Sequence, residues 1–283
     1  MSVHIITDSA SDITQAEARA CGIEVLPLRT AFGDTEYLDG VTIDNRRFFQ
    51  LLIESDALPT TSQLPPYHYE ERFQAAVDAG DEVLCITLSS KLSGCCQSAM
   101  IAAEPFGDRV TVVDSENVCI GQRILTELAV RLRNEGKTAR EIGGQLDREK
   151  KQIRLIALLD TLEYLKKGGR ISPAAALAGS LLSIKPVISI ERGEVAILGK
   201  ARGSKRGNNM LMELVQKCGG INFEKPYCLA YSGLSDTLLR KYIEDSAVLY
   251  EGRAEHLPVS TIGSTIGTHV GPGAIAAAFF VKE

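Results

Sequence analysis

Tryptophan is absent from this 283-residue chain, and phenylalanine and tyrosine contribute only eight residues each. A surface that stacks nucleobases would have few aromatic faces to draw on. Excess positive charge is missing too: 31 basic against 36 acidic residues leave a net charge of -5. That argues against chain-wide affinity for nucleic acid, although it permits a local basic patch. The seven cysteines (Cys21, Cys85, Cys95, Cys96, Cys119, Cys218 and Cys228) include no Cys-x-x-Cys pair. An odd count without zinc-knuckle or redox spacing leaves buried, reduced thiols as the expectation. No stretch of about 20 residues is apolar enough to span a bilayer; the nearest, 171–190, carries Pro173, Lys185 and Pro186. The first eight residues lack the basic and apolar regions of a secretory signal, so a cytoplasmic protein is expected. A Walker A loop, a Gly-x-Ser-x-Gly elbow, internal repeats and low-complexity tracts are also missing.

What is present reads as an α/β protein of ordinary composition, long enough for two domains. The first half alternates short apolar runs (3–6, 25–28, 83–88, 110–113) with amphipathic segments (12–20, 45–54, 67–79, 94–103, 120–134). That alternation predicts a mostly parallel sheet. The stretch 59–66 reads as an irregular loop stiffened by prolines. In the second half, helices are expected over 139–151, 173–182, 208–217 and 235–244, with a helical turn over 162–165. Strands are expected over 154–157, 227–230, 254–258 and 279–282, and a hairpin around Glu191-Arg192-Gly193-Glu194. The expected domains are 1–155, with a mostly parallel sheet, and 156–283, with a mixed one.

Several polar islands interrupt this apolar background. Asp8-Ser9-Ala10-Ser11-Asp12 follows the first strand, where open α/β sheets take ligands; helix capping by Ser11 or Asp12 is the plainer reading. A paired-acid metal site there lacks further ligands. Thr60-Thr61-Ser62-Gln63 presents hydroxyls between Pro59 and Pro65, or is an exposed turn. Ser89-Ser90-Lys91-Leu92-Ser93-Gly94 joins a buried-type strand to a helix, where backbone N–H groups attract anions; a plain helix cap is the alternative. Lys166-Lys167-Gly168-Gly169-Arg170 offers a guanidinium beside two glycines, or a solvated helix end. Four cations fall between Lys200 and Arg206, as a patch for phosphate, an acidic partner or an anionic surface, or as a solvated loop. His269 precedes Gly271-Pro272-Gly273; a Ser-His-Asp triad on it would lack any accompanying elbow.

Taken in order, seven of these stretches resemble the DegV family, the fatty-acid-binding proteins that act as the B subunit of bacterial fatty acid kinase. They are 6–12, 60–63, 88–94, 168–171, Ile184-Lys185-Pro186-Val187, Ala201-Arg202-Gly203-Ser204-Lys205 and His269-Val270-Gly271-Pro272-Gly273-Ala274. The resemblance implies two α/β domains enclosing one long-chain fatty acid. Its carboxylate would be held by Thr61 and Ser93, with Ser62, Gly94, Arg170 and His269 beside them. Arg202, with Lys205 and Arg206 in the same patch, would face the kinase subunit or its phosphates. That separate subunit would bind ATP and make the acyl phosphate used in phospholipid synthesis. The chain itself would be a carrier with no catalytic residues, cofactor or metal, touching membranes transiently. Cys95-Cys96 after Gly94 departs from the family pattern and bears on pocket shape.

Physical chemistry agrees with a carrier. A buried carboxylate needs several donors to stay ionised. A 16-carbon tail gains roughly 0.8 kcal/mol per buried methylene, on the order of 12 kcal/mol before association costs. Tail lining is expected from 174–182 and 274–280. Two other classes stand against this one. An enzyme acting on a phosphorylated small molecule would use Gly168 to Arg170 and the basic patch as clamps. A DNA-associated regulator would need a binding module that the sequence does not display.

Overall fold

The computed structural model describes residues 2–55, 57–172 and 184–282. In the first part of the chain the strands are β1 (Val3–Asp8), β2 (Ile23–Leu26), β3 (Arg29–Phe32), β4 (Thr35–Leu38), β5 (Thr60–Ser62), β6 (Glu82–Thr87) and β7 (Val110–Asp114). The helices there are α1 (Gln15–Cys21), α2 (Asn45–Glu54), α3 (Pro66–Asp78), α4 (Cys95–Ala103), α5 (Ile120–Asn134) and α6 (Ala139–Glu149). The rest of the chain adds β8 (Ile153–Leu158), α7 (Glu163–Lys167), β9 (Ile184–Glu191), β10 (Glu194–Arg202) and α8 (Ser204–Lys217). It closes with β11 (Tyr227–Tyr231), α9 (Thr237–Asp245), β12 (Val259–Thr261), α10 (Ser264–Val270) and β13 (Ile275–Phe280).

Two main sheets result. One is parallel and four-stranded, in the order β2-β1-β6-β7. The other is mixed and six-stranded, in the order β10-β9-β8-β13-β11-β12, with only β11 and β12 parallel. The α/β class and the parallel-then-mixed division expected from the sequence are what the chain forms. The junction expected at 155/156 falls inside β8.

Helix α5 lies between the two sheets. It packs on β1 and β6 from one side and on β8, β11 and β13 from the other. Its buried residues cover most of the circumference, from Ile120, Ile124 and Leu128 to Leu125, Ala129 and Leu132, and leave a polar stripe of Arg123, Glu127 and Arg131. So wide a buried face lets it make one continuous core out of both sheets. The far face of the six-stranded sheet has a separate core, in which Leu211, Tyr242 and Phe279 are buried.

Sequence and structure part company in several places. A third sheet, β4-β3-β5, is antiparallel, and it turns the loop expected over 59–66 into an edge strand in which Thr61 faces Thr30. Helix α1 starts at Gln15, because Thr14 and Glu17 form a capping box and Asp12 is left-handed at φ 54°. Ser11 and Asp12 therefore do not cap it. The stretch Ala254–His256 is a short 3₁₀ turn, with the strand beginning only at Val259. The last strand runs from Ile275 to Phe280 and is buried on both faces, so no alternation marks its start. The helix expected over 173–182 lies outside the described residues.

Helix α10 has the greatest bearing on the site, and the sequence reading did not include it. It docks against α2 through Gly267, where a Cβ would stand 2.5 Å from Phe48 Cε1 and 3.0 Å from Phe49 Cζ. Both phenylalanines are buried and pack edge-to-face. Gly267→Ala is therefore expected to destabilise the fold by about 1–3 kcal/mol, read as a lower urea midpoint at unchanged m.

Candidate functional site

A cavity lies between the sheets. Its walls are aliphatic: Leu88 follows β6, Leu155 and Ala157 belong to β8, Ile188 and Ile190 to β9, and Val195 to β10. The alternation of β13 divides its side chains. Ala274 and Ala276 line the cavity, whereas Ile275, Ala277 and Phe279 belong to the core on the opposite face. Of the tail lining expected over 274–280, two small residues thus reach the cavity. The other expected stretch, 174–182, lies outside the described residues.

Polar side chains from four segments also line it: Thr61, Ser62 and Gln63, then Ser93, Arg170 and His269. They are tied into one ring. Thr61 Oγ1 and His269 Nε2 lie 2.9 Å apart. His269 Nδ1 sits over Gly168, where a Cβ would come within 2.2 Å of it. Arg170 donates from Nη1 to Gly168 O (2.6 Å) and from Nε to Leu92 O (3.1 Å), the residue before Ser93. Gly94 closes the ring on Gln63, whose Oε1 lies 1.8 Å from where a Cβ at 94 would be. Ser62 and Gln63 are exposed, so the polar part of the cavity reaches solvent.

The imidazole is neutral. Burial, with the Arg170 charge as a second cause, lowers the His269 pKa from 6.5 to about 4. Nδ1 is buried and has no hydrogen-bond partner among the described residues. An unmet acceptor is the cheaper choice than an unmet N–H donor, so the proton belongs on Nε2, pointing at Thr61 Oγ1. The Thr61 hydroxyl hydrogen is then free to donate elsewhere. The Ser93 hydroxyl donates to Cys95 Sγ at 3.3 Å. Burial pushes that thiol up to about 11, so it is protonated and unreactive at neutral pH. Thr61, Ser93 and Arg170 therefore combine two hydroxyls and a fixed cation beside an apolar chamber. That donor set suits an anionic head group with a hydrocarbon tail.

Of the residues singled out in the sequence, Thr61, Ser62, Ser93, Arg170 and His269 are brought together here, and Gly94 adjoins them. Arg202, Lys205 and Arg206 are exposed where β10 ends and α8 begins, and none lines the cavity. Gln63, Cys119 and Thr265 line it and were not among the expected site residues. Gln63 could have been found from its island. Thr265 required recognising α10, and Cys119, at φ 56° ahead of α5, had no local signal. Among the described residues, no group of three or more His, Cys, Asp or Glu side chains is placed to hold a metal ion.

The Asp8–Asp12 stretch works inward rather than on a ligand. Asp8 accepts from Leu88 N (2.9 Å), from Ala10 N (3.1 Å) and from Gln122 Nε2 (3.1 Å). Asp12 Oδ1 accepts from Gly263 N at 2.7 Å. Neither lines the cavity. Burial raises their pKa values from 3.8 to about 6 and about 7.

A family profile described as an uncharacterised protein of the DegV family matches residues 2–282. A DegV domain-containing protein of Deinococcus radiodurans is 34% identical over 283 residues, covering 98% of each chain. Among solved structures, a fatty-acid-binding DegV family protein of Thermus thermophilus superposes with a TM-score of 0.87 at 31% identity, over 99% of this chain and 100% of that one. Bacillus subtilis DegV, described as a fatty acid binding protein, superposes at 0.84 with 27% identity over the full length of both.

The two raised carboxyls fix a sign for pH dependence. Between pH 4 and 7 the native acids hold protons that the unfolded chain has released. Their contribution to stability is therefore complete below about pH 4 and is lost as pH rises through 6 and 7. Asp12→Asn keeps the oxygen that accepts from Gly263 N and removes the charge. It should gain on the order of 2 kcal/mol over the parent at pH 8 and nothing at pH 4, read by urea unfolding at both pH values.

Proposed function

The chain belongs to the DegV family, and on that premise we propose that it binds one long-chain fatty acid and presents the carboxylate to a separate ATP-dependent kinase subunit. The observation that carries the reading is the cavity itself: an aliphatic chamber between the sheets with the Thr61–His269 pair, Ser93 and Arg170 at its polar part. The likeness to the Thermus thermophilus and Bacillus subtilis proteins, described as binding fatty acids, supports it.

In this reading Thr61 donates to the carboxylate, Ser93 does so by giving up its bond to Cys95 Sγ, and Arg170 keeps the carboxylate ionised. The tail fills the chamber lined by β8, β9, β10 and β13. The hydrophobic gain, roughly 0.8 kcal/mol per methylene moved out of water, offsets what the tail would lose on leaving a bilayer, so the carrier can hold a lipid without a covalent link. The chain contributes binding and orientation, and the kinase subunit supplies ATP chemistry, giving an acyl phosphate for phospholipid synthesis. Arg202, Lys205 and Arg206 form the exposed positive surface that would meet that subunit or its phosphates. An enzyme clamping a phosphorylated small molecule on Arg170 has less support, since Gly168 O and Leu92 O already hold that guanidinium beside apolar walls.

Native mass spectrometry of freshly purified protein is expected to show one fatty acid per chain. Thr61→Val and Ser93→Ala should each weaken palmitate or oleate binding by roughly 10- to 100-fold, the worth of a hydrogen bond to a charged group. An empty protein that also refuses added palmitate and oleate would defeat the reading. Reversing Arg202, Lys205 and Arg206 to Glu together should leave lipid affinity unchanged and abolish acyl-phosphate formation with the kinase subunit; undiminished phosphorylation would remove the docking role.

A further inference from the structure

Helix α10 carries Thr265, Ile266, His269 and Val270 into the cavity wall. It is seven residues long, and its N-cap, Gly263, has no side chain with which to cap it. So short a helix does not hold itself together, and its first N–H groups need acceptors. They find them in a distant segment. Asp39, just past β4, accepts Ser264 N on Oδ1 at 2.8 Å and Thr265 N on Oδ2 at 3.2 Å. Its Oδ2 also accepts from Ser9 Oγ at 3.0 Å, and that same Oγ accepts from Leu28 N. Thr30 Oγ1 meets Ser264 Oγ at 3.0 Å. Asp39 is 2% exposed and does not line the cavity.

We propose that Asp39 is a positioning residue for fatty-acid binding: capping α10 from outside, it holds His269, and through it the Thr61 hydroxyl, in place for the carboxylate. The inference rests on the fatty-acid reading above. Its physical basis is the linkage between local order and affinity. If the first turn of α10 loosens, only the fraction of molecules with the helix formed can bind, and apparent affinity falls by that fraction. Asp12 supports the same terminus with one bond to Gly263 N, whereas Asp39 uses both oxygens on the first turn.

The test is Asp39→Asn, in which an amide N–H₂ faces one of the two backbone donors. Palmitate affinity should fall about tenfold, the size of a lost helix cap. In a double-mutant cycle with His269→Ala, most of that loss should vanish, because the shared path is already cut. In the ligand-free protein at pH 7, the ring ¹⁵N signals of His269 should move from a single Nε2-protonated form to a mixture. Unchanged palmitate affinity in the variant, losses that add fully in the cycle, or an unaltered ring spectrum would each overturn the role. If Asp39→Asn does not fold, Asp39→Glu, with its carboxylate one methylene too far out, is read in the same way. A parent protein that binds no fatty acid would instead sink the functional reading, and the ring spectrum would still decide on Asp39.

Discussion

Buried carboxylates that accept backbone N–H groups are the interaction on which the cavity's polar part depends. Asp8 fixes Leu88 at the end of β6, and the loop that follows delivers Ser93. Asp12 and Asp39 fix the start of α10, which delivers His269. These acids have few direct cationic partners; their compensation comes chiefly from backbone donors, with Gln122 and Ser9 adding side-chain bonds. That arrangement places charge where it organises main chain, at a cost visible in the raised pKa values of Asp8 and Asp12.

The second requirement is that both sheets be held at a fixed separation, and α5 does this. With apolar or small residues over most of its circumference, it makes the parallel and mixed sheets parts of one core, and the cavity occupies space beside it. The hairpin of β9 and β10 adds a further tie. Its tip carbonyl at Gly193 accepts from the buried Ser89 Oγ at 2.8 Å. The loop leading to Ser93 is thus tied to the hairpin through Ser89 and to Arg170 through Leu92 O.

Legibility followed the range of the forces involved. The parallel β-α half could be read because each element carries its own period, and α2 and α5 came out at their observed bounds. Elements whose identity rests on partners were not readable. Strand β5 exists because β3 pairs with it, and its three residues show no strand period. Helix α10, with Gly263, Gly267 and Gly271 in and around it, reads locally as a turn, and only Asp39, Asp12 and the phenylalanines of α2 make it a helix. At the site, the islands stood out as hydroxyls and charges against apolar sequence, and the family resemblance singled out Thr61, Ser93, Arg170 and His269 within them. The aliphatic walls could not be separated from ordinary core, since Leu155 and Ile188 would look the same in either place. The acids at Asp8 and Asp12 were visible, but their inward orientation was not.

Several glycines around the site are moulds of the side chains facing them. Gly168 takes the His269 ring, Gly94 takes Gln63, and Gly271 takes Tyr164, whose Cδ2 lies 2.3 Å from where a Cβ would be. Neither member of such a pair can be exchanged without the other giving way. A methyl group at 168 is intolerable while the imidazole stays, and a small residue at 269 leaves a void that only a larger residue at 168 can fill. The site is therefore built of matched socket-and-plug pairs rather than of independent positions. Room to alter its specificity lies in the aliphatic walls, where one branched side chain can replace another without a partner having to move first.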